Sequence, residues 1–182
     1  MTFTHKKTCL FLVRIIVAIG FEGFVTTTVL AEQYDTGMHI VKTDQGFLSI
    51  NVGHVSHFNA FDFFVYSFMY QPKDSKEWNQ VPYIEKEDDP KLLFNVQTKH
   101  TPDKILLDAK VVTSKQRFFL IIGKKEIKET LADNAPVTVS IYELVKLDDY
   151  ERWVFIRKSV EITALKVSVD KALDNATRAL GK

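Results

Sequence analysis

The chain has 182 residues, 46% hydrophobic and 12% aromatic, with 24 basic side chains against 23 acidic ones and a single cysteine. So much apolar content at a net charge of +1 excludes intrinsic disorder and offers a polyanion such as nucleic acid nothing to hold. One thiol excludes an intramolecular disulfide and a cysteine-rich zinc site, and seven Gly with five Pro exclude collagen-like or low-complexity sequence.

Residues 1–31 read as a signal peptide. Lys6 and Lys7 precede an apolar stretch, Leu10 to Val13 and Ile15 to Phe21, and Val29-Leu30-Ala31 places small or branched residues where a peptidase cuts. Cleavage is predicted after Ala31. A spanning helix needs ~20 apolar residues, and Arg14 and Glu22 leave only Ile15 to Phe21 uncharged between them, so no stable membrane anchor is expected. Loss of the segment removes Lys6, Lys7, Cys9, Arg14 and Glu22 and takes the net charge to −1. Residues 32–182 are then a single β-rich domain without cysteine, held together by its core alone.

Period-two patterning dominates from about residue 46. Leu92 to Thr98 alternates apolar with polar after its first residue, and Ile105, Leu107, Ala109 and Val111 lie opposite Lys104, Asp108 and Lys110. Phe118 to Ile122 is an unbroken apolar run, Val137, Val139 and Ile141 alternate with Thr138 and Ser140, and Trp153 to Ile156 continues into Val160, Ile162 and Ala164. Turn-forming residues separate the runs at Gln71 to Ser75, Glu85 to Pro90, Thr101 to Asp103 and Ala132 to Pro136. The pattern predicts an all-β, mainly antiparallel sandwich or barrel-like fold of about 8–10 strands. The period then changes: Ser168 caps a short C-terminal helix from Val169, with Ala172, Leu173, Ala176, Ala179 and Leu180 on one stripe.

The most unusual stretch is Phe58 to Tyr70, with seven aromatics in thirteen residues. As a strand, Phe61, Phe63, Val65 and Met69 point one way, and Phe64, Tyr66, Phe68 and Tyr70 the other. Leaving four such side chains in water forgoes about 6–12 kcal/mol, comparable with the stability of a whole domain. Both faces therefore need a cover. One reading is a central strand with one face in the sandwich core and the other under the C-terminal helix or a long loop. The alternative is a homodimer interface or a ligand groove rimmed by Asp62, Lys73 and Asp74.

Chemistry-bearing motifs are sparse. His54 and His57 with Asp62 nearby, and His39 and His100 elsewhere, could supply metal ligands, but two His three apart converge only from a helix or a favourable loop and the thiols or HExxH glutamate of a metal motif are absent, so no metal is assigned. Ser168-Val169-Asp170-Lys171 matches the S-x-x-K pattern of penicillin-recognising serine enzymes. The companion elements are missing, because Lys42-Thr43-Asp44 lies in the wrong order and lacks the glycine, so Ser168 reads as a helix cap. Lys124 to Glu129 is a mixed-charge hairpin end and not a nucleic-acid patch. No nucleophile and base pair up, and no catalytic residue or cofactor is assigned.

A further set of residues carries a family resemblance. Phe61-Asp62 leads into the aromatic strand with Tyr66, followed by Trp78 and Val81-Pro82. Asp103 and Asp108 then flank Ile105 to Leu107, Ala132 to Val137 precedes a strand ending Tyr142-Glu143-Leu144, and Val169-Asp170-Lys171-Ala172-Leu173 closes the chain. In order and spacing these resemble the periplasmic carbapenem intrinsic-resistance (self-protection) proteins of the CarG type, over most of the chain after Ala31. The resemblance implies a periplasmic, β-rich homodimer that protects its host from carbapenems without hydrolysing them, by binding the drug or by shielding a penicillin-binding protein. An envelope interaction or inhibitor module without antibiotic specificity, and a β-lactam hydrolase, are the alternatives. The implied ligand-binding or interface residues are Asp62, Phe64, Tyr66, Phe68, Tyr70, Trp78 and Asp108, with Lys104, Lys110 or Arg117 expected nearby if the drug's carboxylate is bound. Where relatives carry a cysteine this chain has Asp103-Lys104, which leaves no thiol role.

Overall fold

The computed structural model describes residues 34–56, 62–101, 104–126 and 135–182; the predicted signal peptide, His57 and Phe61 lie outside them. Among the described residues there are eleven strands, of which seven have seven residues or more. In chain order they are β1 (Gly37–Thr43), β2 (Gly46–Val55), β3 (Phe63–Pro72), β4 (Asn79–Gln80), β5 (Tyr83–Ile84) and β6 (Asn95–Gln97), then β7 (Lys99–Thr101), β8 (Lys104–Ser114), β9 (Arg117–Lys125), β10 (Val137–Leu147) and β11 (Arg152–Ile162). One helix, α1 (Val169–Leu180), ends the chain. The all-β expectation with one short C-terminal helix matches this architecture.

Two sheets face each other. One is ordered β1-β2-β3-β4 with β6 also on β3; the other is ordered β5-β11-β10-β9-β8-β7. Every pairing is antiparallel except the short parallel contact of β5 with β11. The core between them takes alternate residues of each long strand: Leu48, Ile50 and Val52 from β2, Tyr66, Phe68 and Tyr70 from β3, and Phe118, Leu120 and Ile122 from β9. The β2–β3 register sets Val52, Ile50 and Leu48 opposite Tyr66, Phe68 and Tyr70, so one face of the pair is apolar throughout.

The helix answers a second alternation. Phe119 and Ile121 point away from the sandwich core, and with Val112, Val137, Val139 and Ile141 they meet Val169, Ala172, Leu173 and Ala176. That gives a third layer and explains why Phe118 to Ile122 is an unbroken apolar run: β9 is buried on both faces. Gly123 leaves room for this contact, because a Cβ there would stand 3.1 Å from Val169 and 3.2 Å from Leu173. Ser168 caps the helix as expected, its Oγ accepting the Lys171 N–H at 3.3 Å.

Three strand expectations need correction. The helix covers β8, β9 and β10, not the second face of the aromatic strand. That face carries Phe63, Val65 and Met69, each only half-buried, with Ser67 among them. The alternating stretch Leu92 to Thr98 shortens to β6, with Leu93 making a single bridge to Tyr83. The strand expected to run on through Val160 and Ile162 to Ala164 stops at Ile162, and Val160 and Ile162 stay 46% and 71% exposed, since β5 pairs with β11 only at Phe155 and Ile156.

Candidate functional site

One end of the sandwich gathers the polar groups that the core cannot absorb. Tyr66 points inward from β3 and donates its hydroxyl to Asp108 Oδ1 of β8 at 3.3 Å; Ala109 donates its backbone N–H to the same oxygen at 2.8 Å. Asp108 is 1% exposed. Burial pushes its carboxyl above the usual range, and Asp170 adds to this; the Ala109 N–H, then His100, then the Tyr66 hydroxyl work the other way. The Tyr66 phenol is driven well above its ordinary value by burial first and by the neighbouring carboxylate second, so it stays protonated and remains a donor.

Around this pair lie aromatic and imidazole rings. The Phe64 ring sits 5.1 Å from that of His54 and 6.2 Å from that of His100. His54 Nε2 pairs with Asp62 Oδ2 at 3.2 Å, both side chains about two-fifths exposed. Thr98, buried beside them, accepts the Phe64 backbone N–H at 2.8 Å. His100 Nε2 is buried with no hydrogen-bond partner among the described residues. The cluster thus runs from a solvent-facing His54–Asp62 pair, across Phe64, to a half-buried His100 and the buried Asp108 and Tyr66.

Of the residues singled out from the sequence, the fold brings Asp62, Phe64, Tyr66 and Asp108 together and separates the rest. Phe68 and Tyr70 are 0% and 1% exposed, deep between the sheets, where Phe68 meets Phe155 edge-on and Tyr70 contacts Phe118 and Trp153. They line no open groove, because the alternation that puts them on one face turns that face to the core. Trp78, 38% exposed, lies just before β4, which pairs with β3 at Met69 and Tyr70, the end of that strand away from Asp62 and Phe64. Two of the three cations expected near a drug carboxylate are engaged elsewhere, Lys110 with Asp174 at 2.7 Å and Arg117 with Glu143 at 2.6 Å, while Lys104 is exposed at the start of β8. His100 stands out in the sequence only as a histidine that could ligate a metal and Thr98 not at all; neither Thr98, between β6 and β7, nor His100, within β7, carries a periodic sign that the sheet will fold it against Phe64.

Among the described residues no group of three or more His, Cys, Asp or Glu converges to hold a metal, and His57 is outside them. Nor is any described helix long and apolar enough to cross a membrane. Ser168 Oγ is occupied as a cap, with the backbone N–H of Lys171 as its partner.

No known protein family's profile matches the chain, and no curated protein matches it in sequence. Among solved structures, the crystal structure of CarG matches with a TM-score of 0.65 at 13% identity, covering 83% of this chain and 98% of that one. At this identity the likeness is one of fold: the two-sheet architecture with its terminal helix is a CarG-like fold.

Proposed function

We propose that this chain is an exported, periplasmic self-protection protein that confers tolerance to carbapenems by binding and not by hydrolysis, either sequestering the drug or shielding a penicillin-binding protein. The observation that carries the reading is the CarG-like fold, which spans nearly the whole of that neighbour. It is supported by the ordered residues from Phe61-Asp62 to Val169-Asp170-Lys171 that resemble the same family. The His54, Asp62, Phe64 and His100 surface above Tyr66–Asp108 is the proposed contact region, since it joins exposed polar groups to aromatic rings. The half-buried face of β3 with Phe63, Val65 and Met69, continued by exposed Met38 and Ile40 on β1, is the proposed homodimer surface. The test is to express the exported protein in a carbapenem-sensitive bacterium and measure the inhibitory concentration. A rise without ring opening in a spectrophotometric assay of the purified protein is expected. Unchanged sensitivity removes the assignment, and turnover removes the non-hydrolytic mechanism.

A further inference from the structure

A second recess lies outside the Tyr66–Asp108 cluster, over a separate small core. Ile84, Val154 and Ile156 are buried there, with Leu92, Val145 and Leu147 half-covered against them. A hollow of about 340 Å³ lies over this core, where the half-exposed Leu92 and Leu147, backed by the buried Ile84 and Val154, face Asp88 and Asp89. An adjoining hollow of about 400 Å³ shares Leu147 and Asp88 and is closed on its other side by Asp148 and Asp149. The two hollows form one cleft with a small apolar floor between two predominantly acidic segments, whose lining also includes Arg152 in the first hollow and Lys146 in the second.

The charge is concentrated. Residues 85–89 and 146–152 carry seven carboxylates against Lys86, Lys146 and Arg152, in a chain whose overall charge is +1. Little of it is neutralised internally. Glu85 pairs with Arg157 at 3.0 Å, Lys86 reaches Asp88 at 3.3 Å with both side chains more than two-thirds exposed, and Asp89 Oδ1 accepts the Lys91 backbone N–H. Exposed pairs of this kind contribute little. Glu87, Asp148 and Asp149 have no cation within ion-pair distance among the described residues.

We infer that this cleft docks a basic amphipathic segment of a partner protein, one apolar side chain seated against the half-exposed Leu92 and Leu147, which the buried Ile84 and Val154 support from behind, and flanking Lys or Arg side chains meeting the two acidic segments. The floor supplies the burial that anchors such a segment, and the walls supply orientation and a fast, salt-sensitive approach. An anionic ligand is disfavoured on the same grounds, and the carboxylate of a carbapenem is one. The inference therefore goes beyond the proposed drug tolerance and stands or falls separately from it.

The probe is a short fluorescein-labelled peptide of alternating lysines and leucines with one central phenylalanine, titrated with the purified protein at low ionic strength and read by anisotropy. Its counterpart has every lysine replaced by glutamate. The expected result is saturable binding of the basic peptide only, weakened about ten-fold or more at high salt. It should weaken comparably in a Glu87→Lys/Asp88→Lys variant and, on the opposite wall, in Asp148→Lys/Asp149→Lys. These positions are exposed, and an unchanged thermal midpoint checks that both variants fold. Equal binding of the two peptides, binding indifferent to both charge reversals, or no binding at millimolar protein overturns the inference. So does a site that takes calcium in a calorimetric titration and ignores the peptide.

Discussion

Replacing Tyr66 by phenylalanine removes one oxygen from the core and leaves the ring, its packing and the β2–β3 register in place. What changes is Asp108, which keeps the Ala109 N–H at 2.8 Å but loses the hydroxyl at 3.3 Å. A hydrogen bond to a charged group contributes about 1.5–3 kcal/mol, and 3.3 Å is longer than a well-formed O–H···O contact, so a loss of about 1.5 kcal/mol at neutral pH is expected. In a chain of this size that lowers the thermal midpoint by roughly 3–6 °C. The pH dependence follows from the direction of the Asp108 shift. Its carboxyl holds its proton more tightly folded than unfolded, so the stability this group contributes is fully present below its ordinary value near 3.8 and is lost as pH rises through the raised folded value. The Tyr66 hydroxyl favours the ionised form, which makes the gap between wild type and Tyr66→Phe widest at neutral pH and narrower in acid. Asp108→Asn, which cannot ionise, should lack this group's pH dependence while retaining an acceptor for Tyr66. The assay is chemical unfolding of the three proteins at pH 4 to 8. A Tyr66→Phe variant as stable as wild type at neutral pH, or a gap that widens in acid, refutes the account of the pair.

Two further predictions concern local geometry. Gly46 has φ +154° and a Cβ there would stand 2.3 Å from the Gln71 carbonyl oxygen and 2.8 Å from the Tyr70 hydroxyl, so Gly46→Ala should cost about 3 kcal/mol in unfolding measurements and disturb the Tyr70 bond to Gln45. Ser168→Ala should cost about 1 kcal/mol through the lost cap and leave the proposed carbapenem tolerance, once measured for the wild type, unchanged; abolished tolerance with an intact fold would mean that Ser168 acts chemically.

How much was legible in the sequence depended on whether local periodicity carried the information. The alternation of Val137, Val139 and Ile141, the apolar run from Phe118, and the switch to helical spacing after Ser168 all appear as β10, β9 and α1. Short strands were not legible: β4 and β5 have two residues each and exist because the neighbouring strand offers a free edge, not because Asn79–Gln80 prefers to extend. The candidate site was half legible. Asp62, Phe64, Tyr66 and Asp108 stood out and do converge, whereas Thr98, between β6 and β7, and His100, in the three-residue β7, carry no recognisable pattern. The acidic cleft was present in the sequence as the run Glu85 to Asp89, read as a turn; only its approach to Asp148 and Asp149 makes it a wall.

The aromatic strand shows where the boundary falls. That Phe64, Tyr66, Phe68 and Tyr70 share one face, opposite Phe63, Val65 and Met69, is a consequence of the two-residue repeat and needs no partner to be known. Which face turns inward, what lies against it, and where the helix goes are long-range matters. The core-facing side was selected because β2 offers Leu48, Ile50 and Val52 in register with it, and the helix went to the other sheet because Phe119, Ile121 and Val139 leave a second apolar surface there. Local sequence sets the direction of each side chain along its own strand; only the packing of distant segments decides which of those directions is the interior.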